Sequence, residues 1–230
     1  MQATQTVQLN SGNFAKFDSL IKQAAQLQAK RDFEQACELF EIAINDGQRI
    51  AAFGEDDEGI QRLIPAYEQA SLAAYRQASL PDNSVAANWG GKALAWHTQH
   101  VVLLSSLLHR HHPLSDESCA ALGATLEKLC EKLCRAGKYT QAIHFSDRLR
   151  QLISQNPLSF KNMEYLRSCE LRANAFTGLA QYEKAEESVN EGLADIDTPH
   201  CADPERLRFV AALLQRKVIL LGTIERQKRK

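Results

Sequence analysis

The apolar residues of this chain recur every three or four positions, which is the spacing of one face of an α-helix. The first such segment carries Phe17, Leu20, Ala24 and Leu27 between residues 13 and 30. Residues that favour helices, such as Ala, Leu, Gln, Glu and Lys, are common, and no alternating apolar pattern of the strand type persists. The sequence therefore predicts an all-α fold.

Breaks in this pattern divide the chain into four helix pairs followed by a single helix. We expect the pairs at about 13–47, 56–110, 115–156 and 158–197 and the single helix at 204–226, all in one array from 13 to 226. A flexible lead at 1–12 and a basic tail at 227–230 flank the array. The register of the long segment 49–112 stays open, because its apolar stripe is irregular.

Two local details of this array can be checked directly against a structure. Gly47 is expected to end the second helix of the first pair, since glycine commonly follows the last helical residue. The single helix at 204–226 is expected to cap the open end of the stack. Its inward residues would be Leu207, Val210, Leu213, Leu214 and Val218.

Three pairs of small residues, each 12 positions apart, recur in the chain, and an aromatic residue stands three positions before the second member of each pair. The pairs are Ala24 with Ala36, Cys130 with Ala142, and Ala173 with Ala185, and the aromatic residues are Phe33, Tyr139 and Tyr182. This pattern resembles the tetratricopeptide repeat (TPR), in which small residues let paired helices approach closely. The resemblance implies a right-handed α-α superhelix of TPR-like helix hairpins with a C-terminal capping helix.

The resemblance also implies a concave groove, lined by the first helices of successive pairs, that holds a segment of another protein. The groove residues would be Glu127, Glu131, Cys134, Arg167, Glu170, Asn174 and Thr177. The members of the family that grip a C-terminal carboxylate carry Lys where Glu127 and Glu170 stand, and only the Asn at position 174 is kept here. An acidic groove should repel an acidic tail and favour a basic or amphipathic segment.

Charge and composition limit the partners and the compartment. With a formal net charge of −1, we expect no nucleic-acid and no membrane partner, and the longest apolar run, at 101–108, is too short to cross a bilayer. The first ten residues lack the features of a signal peptide, which predicts a cytoplasmic location. We expect the six cysteines to be reduced and mostly to act as small core residues.

Histidines are the residues most suggestive of other chemistry. They cluster at positions 97, 100, 109, 111 and 112, where metal binding stays an open alternative, although the end of a helix also favours such groups. Cys130 and Cys134 lie one turn apart but have no second ligand pair at metal spacing, so we expect core roles. No activated nucleophile is evident, and we expect no cofactor and no enzymatic activity.

The predicted function is that of a protein-protein interaction module, an adaptor or scaffold, that binds a basic or amphipathic peptide in the groove. One alternative is a chaperone of the kind used by bacterial secretion systems, which would need an apolar groove to cover cargo segments. A second alternative is a metal-binding or catalytic helical protein that uses the region His97–His112. The identity of the partner, the pathway and the formation of a homodimer stay open.

Overall fold

A computed structural model describes residues 14–52, 57–80, 86–110, 115–160, 162–194 and 204–229. Throughout this part of the chain the regular secondary structure is helical. The helices are α1 (Phe14–Ala29), α2 (Phe33–Ala52), α3 (Asp57–Ala78), α4 (Ala86–Arg110), α5 (Asp116–Arg135), α6 (Tyr139–Gln155), α7 (Asn162–Gly178), α8 (Tyr182–Ala194) and α9 (Pro204–Lys228). The all-α fold class is confirmed.

The chain divides into two compact units, residues 1–112 and 113–230. The first unit contains α1 to α4, and its core is built around large aromatic side chains, among them Phe14, Phe17, Phe40, Trp89 and Trp96. The second unit contains α5 to α9 and carries the residues predicted to bind a partner. The single array from 13 to 226 stays a prediction.

The three short turns between paired helices share one backbone geometry. Arg31, Gly137 and Ala180 each have a positive φ, of 65°, 71° and 56°. In each turn the next N–H donates to a carbonyl five residues earlier: Asp32 to Leu27 at 3.0 Å, Lys138 to Leu133 at 2.9 Å, and Gln181 to Phe176 at 2.9 Å. This is the Schellman arrangement of a helix end. The first helix of each of the three pairs that carry the small-residue pattern therefore ends in the same type of turn.

The pairs of small residues lie in the core, as the repeat pattern predicts. The Cys130 thiol lies 3.6 Å from the carbonyl oxygen of Ala142, so these two helices pack closely. Ala173 and Ala185 are fully buried in one cluster of the second unit. Ala24 and Ala36 are likewise fully buried in the core of the first unit. The predicted pairing of α1 with α2, α5 with α6 and α7 with α8 is confirmed.

Gly47 does not end its helix, so that prediction is wrong. Helix α2 continues to Ala52. A Cβ atom at Gly47 would lie 2.8 Å from a ring carbon of Phe17 and 2.9 Å from a methyl carbon of Leu63. The glycine is therefore needed for the close approach of neighbouring side chains from α1 and α3, and not for a turn.

The predicted inward face of α9 is also partly wrong. Leu213 is buried and Val210 is half-buried, but Leu214 is 49% exposed and Val218 is 71% exposed. Leu220 and Ile224 join Leu213 on the buried side. The side chain of the fifth predicted residue, at position 207, lies outside the described residues. Helix α9 carries apolar residues on two faces, and the prediction from the sequence pattern combined residues of the buried face with residues of the exposed face.

Candidate functional site

The predicted groove residues lie on two neighbouring helices of the second unit. Helices α5 and α7, the first helices of their pairs, contact each other directly. Glu127, Glu131 and Cys134 are on α5, and the other four residues are on α7. All seven side chains are half-buried, so they lie at the surface and are partly shielded from water.

Three of the carboxylates converge on one guanidinium. Arg167 Nε lies 3.1 Å from Glu127 Oε1, and its Nη1 lies 2.7 Å from Glu170 Oε2. Its Nη2 is also paired with Glu131. The four side chains are only 19% to 32% exposed. These four residues alone carry an excess of two negative charges when all are ionised, and the exposed Arg135, whose Nη2 lies 3.9 Å from Glu131 Oε2, reduces that excess to one. We call these four residues the Arg167 cluster.

The carboxylates keep Arg167 in its charged form. Burial opposes the charge, but the carboxylates of Glu170, Glu131 and Glu127 outweigh that penalty and raise the pKa of the guanidinium above its ordinary value. Arg167 is thus a permanent cation that links α5 to α7. Removing it would leave three half-buried carboxylates facing one another, which costs stability.

Lys132 is a second perturbed group on α5. Burial, together with the nearby charges of Lys128 and Arg135, lowers its pKa to about 8, while Glu131 opposes the shift. This ammonium is close to its titration point at physiological pH, unlike an exposed lysine.

Cys134 is one of the predicted groove residues, and its thiol favours the protonated form. Burial raises the pKa of its thiol, and Glu131 adds to the shift while Arg216 opposes it. Its Sγ lies 4.0 Å from the carbonyl oxygen of Leu171. A protonated, half-buried thiol packs as a small apolar group, because the thiolate is the nucleophile and the metal ligand.

A cleft of about 360 Å³ lies between α7 and α9. Glu170 and Thr177 contribute to its wall from α7, whereas the Thr177 hydroxyl itself donates to the carbonyl of Ala173 at 2.7 Å. The wall contributed by α9 consists of Ala212, Gln215, Arg216, Ile219 and Leu220.

Sequence reasoning missed these α9 residues because it treated the helix as a cap. The signal was present in the spacing of residues 212, 215, 216 and 219, which is that of one helix face. Asn174 is half-buried on α7, four residues after Glu170 and three before Thr177, so it lies on the same side of the helix as both.

Two of the clustered histidines are core residues of the first unit. His97 and His100 are buried, with their rings stacked at a centroid distance of 6.1 Å. The side chain of the histidine at 109, and the histidines at 111 and 112, lie outside the described residues. Within the part that the structure describes, no group of three or more His, Cys, Asp or Glu residues is arranged to hold a metal ion.

None of the helices in the described ranges combines the length and the apolar character needed to cross a bilayer.

Comparison with known proteins supports the fold assignment at the level of structure. No protein-family model matches the chain, and the search of curated proteins found no significant match. The structure is similar to a point variant of a Podosopora anserina protein assigned as a kinesin light chain with nearly identical TPR-like repeats. That similarity has a TM-score of 0.51 and 18% identity, and covers 93% of this chain and 97% of the other.

Two further solved structures are similar at lower scores. The unsubstituted form of the same Podosopora anserina protein has a TM-score of 0.49 and 17% identity, and covers 91% of this chain and 97% of its own. Acl4, an assembly chaperone of RpL4, has a TM-score of 0.31 and 15% identity, and covers 93% and 98%. Together with the shared turns and the buried pairs of small residues, the first similarity identifies the fold of this chain as a TPR-like helical repeat.

Proposed function

We propose that this protein is a non-enzymatic interaction module, an adaptor or scaffold, that holds a basic or amphipathic segment of another protein along α5 and α7. The observation that carries the proposal is the Arg167 cluster, in which three carboxylates share one half-buried cation, with the exposed Arg135 beside Glu131 as the second cation. The cluster is half-buried, so its charges are screened less than those of fully exposed side chains.

The excess negative charge favours a basic ligand. Each carboxylate has two oxygens that accept several hydrogen bonds, and the contacts to Arg167 use only some of that capacity. A Lys or Arg side chain of the ligand would add a cation to a cluster that keeps an excess of negative charge, whereas an acidic side chain would be repelled. The proposed groove is therefore selective for charge before it is selective for sequence.

The adjoining cleft favours a ligand with an apolar side as well. Ala212, Ile219 and Leu220 contribute apolar surface there, next to the carboxylate of Glu170. A segment with an apolar residue close to a basic one would match both features. The chaperone alternative requires a groove without such charges, so the polar Arg167 cluster favours peptide binding in this unit.

The test is a fluorescence anisotropy titration of the full chain with two labelled amphipathic peptides that differ only in Lys against Glu at their polar positions. We expect the Lys peptide to bind more tightly, and Glu127→Gln combined with Glu131→Gln to weaken it about fivefold to tenfold. Glu183→Gln, which removes an exposed carboxylate from α8, is the matched control and should leave binding unchanged.

Arg167→Gln adds a result of opposite sign. Removing the internal cation leaves the three carboxylates without their shared partner, so the Lys peptide should bind more tightly while the protein itself becomes less stable. If the Arg167 and glutamate variants both weaken binding in proportion to lost stability, the cluster only holds α5 and α7 together, and the proposal is wrong.

A further inference from the structure

Helix α9 has an outer face that is unusually apolar. Of nine large apolar side chains that are at least 40% exposed in the described part of the chain, four lie on this one helix. Three of them, Leu214, Val218 and Leu221, are spaced four and three residues apart, which aligns them in a single stripe. Their exposed fractions are 49%, 71% and 40%. We call these three residues the α9 stripe.

The α9 stripe is separate from the face that holds the helix in place. Leu213, Leu220 and Ile224 form the buried side of α9, and α9 packs mainly on α8. Single exposed leucines are ordinary, but an aligned apolar stripe on a helix already anchored by its other face marks a contact surface.

The charge around the α9 stripe indicates which kind of partner fits it. Residues 210–230 contain six Lys or Arg residues and a single carboxylate, that of Glu225. Lys217 lies three residues after Leu214 and four before Leu221, so it borders the stripe directly. Arg226 and Arg229 are exposed towards the end of the helix. Two copies of this basic surface would repel each other, whereas an acidic surface would be attracted.

We propose that the α9 stripe docks an acidic amphipathic helix of another protein. The stripe spans two helical turns, about 10 Å at 1.5 Å per residue, and its spacing is that of the apolar seam in a pair of packed helices. Acidic residues beside the partner's own seam would meet Lys217 on one edge. This surface prefers the opposite charge to that proposed for the groove, and the Arg167 cluster takes no part in it.

A membrane is a poorer fit for the same surface. Glu225 lies four residues after Leu221 and seven after Val218, which places its carboxylate in line with the stripe. A helix lying in a bilayer surface would have to bring that charge to its apolar side, which is costly. Against another helix, the Glu225 carboxylate would stay at the solvated end of the seam.

The experiment uses two designed helical peptides about three heptads long, identical in their apolar seam and carrying either Glu or Lys beside it. Each is labelled and titrated against the full chain, against Leu214→Ser combined with Val218→Ser, and against Leu158→Ser. Leu158 lies outside α9 and is 96% exposed, more than any residue of the stripe, so its variant is a control that removes an exposed leucine elsewhere. Circular dichroism checks that all variants keep their helices.

We expect the Glu peptide to bind about tenfold more tightly than the Lys peptide, and the α9 double variant to lose about tenfold in affinity for it. Lys217→Glu should reverse the preference, and the Leu158 control should bind like the wild type. Equal binding of both peptides, or no binding of the Glu peptide, overturns the proposal. A homodimer in sedimentation analysis also overturns the proposal if the α9 double variant abolishes that dimer and the Glu peptide does not compete with it. Binding to vesicles of anionic lipid overturns the proposal under the same two conditions.

Discussion

The turn at Ala180 provides a sharp test of the repeat structure, because it places an alanine where a glycine is preferred. Its φ of 56° lies in the left-handed region, which costs an ordinary residue about 1–2 kcal/mol. Replacing it with glycine removes that cost but adds about 0.4–1 kcal/mol of conformational entropy to the unfolded chain. Ala180→Gly should therefore raise the free energy of unfolding by about 0.5–1 kcal/mol, the difference between these effects.

The equivalent turn in the same unit supplies the reverse experiment. Gly137 has a φ of 71°, and a Cβ atom there would meet no other atom within 4 Å. Gly137→Ala should therefore cost about 0.5–1 kcal/mol from backbone conformation alone, without a clash. Ala136 is exposed with a φ of −84°, so Ala136→Gly is a control in which glycine should only destabilise.

The measurement is urea unfolding followed by circular dichroism, with the slope of each transition compared to confirm that it reports the same unfolding step. The reasoning predicts a rise for Ala180→Gly and a fall for both other variants. A fall in stability for all three would show that the Ala180 turn does not hold the left-handed geometry, and the equivalence of the repeat turns would then be lost.

Two further predictions concern single side chains of the second unit. A Cβ atom at Gly178 would overlap the ring of Tyr139, so Gly178→Ala should lower the free energy of unfolding by about 1–3 kcal/mol. The loss should be clearly smaller in a Tyr139→Leu background, and equal losses in both backgrounds would contradict that contact. Lys132 has a folded-state pKa of about 8, below the ordinary 10.5, so between these values the unfolded chain binds more protons and this group's contribution to stability rises with pH. Lys132→Met should thus stabilise the protein by about 1–2 kcal/mol at pH 7, after discounting for solvent screening, and the advantage should shrink towards pH 10; an advantage that does not change with pH would refute the shift.

The helix pairs were predictable from sequence because their signals are local. The interval of 12 residues between Cys130 and Ala142 spans the end of α5, the short connection and the first turn of α6. The φ of Gly137 follows from the same short segment. All the interacting groups of each hairpin lie within one short segment of the chain, so the sequence pattern is enough to predict the packing.

The register of α9 was not predictable in that way. Apolar residues occupy both of its faces, so the periodicity is consistent with more than one inward side. Which face is buried depends on what α8 and α7 present to it, and that information lies tens of residues earlier in the chain. The error at Leu214 and Val218 and the failure to predict the α7–α9 cleft have this one origin.

The Arg167 cluster shows that a prediction of which residues lie together can still give an incomplete picture of charge. The repeat pattern placed Glu127, Glu131 and Glu170 together, and read as isolated carboxylates they would repel one another strongly. The structure places Arg167 among them, across 40 residues from Glu127 and 36 from Glu131. The guanidinium lets the carboxylates cluster at a half-buried site while leaving them in excess, and that excess is what a basic ligand would neutralise. The proposed selectivity therefore depends on three carboxylates outnumbering the two cations that contact them, Arg167 and the exposed Arg135.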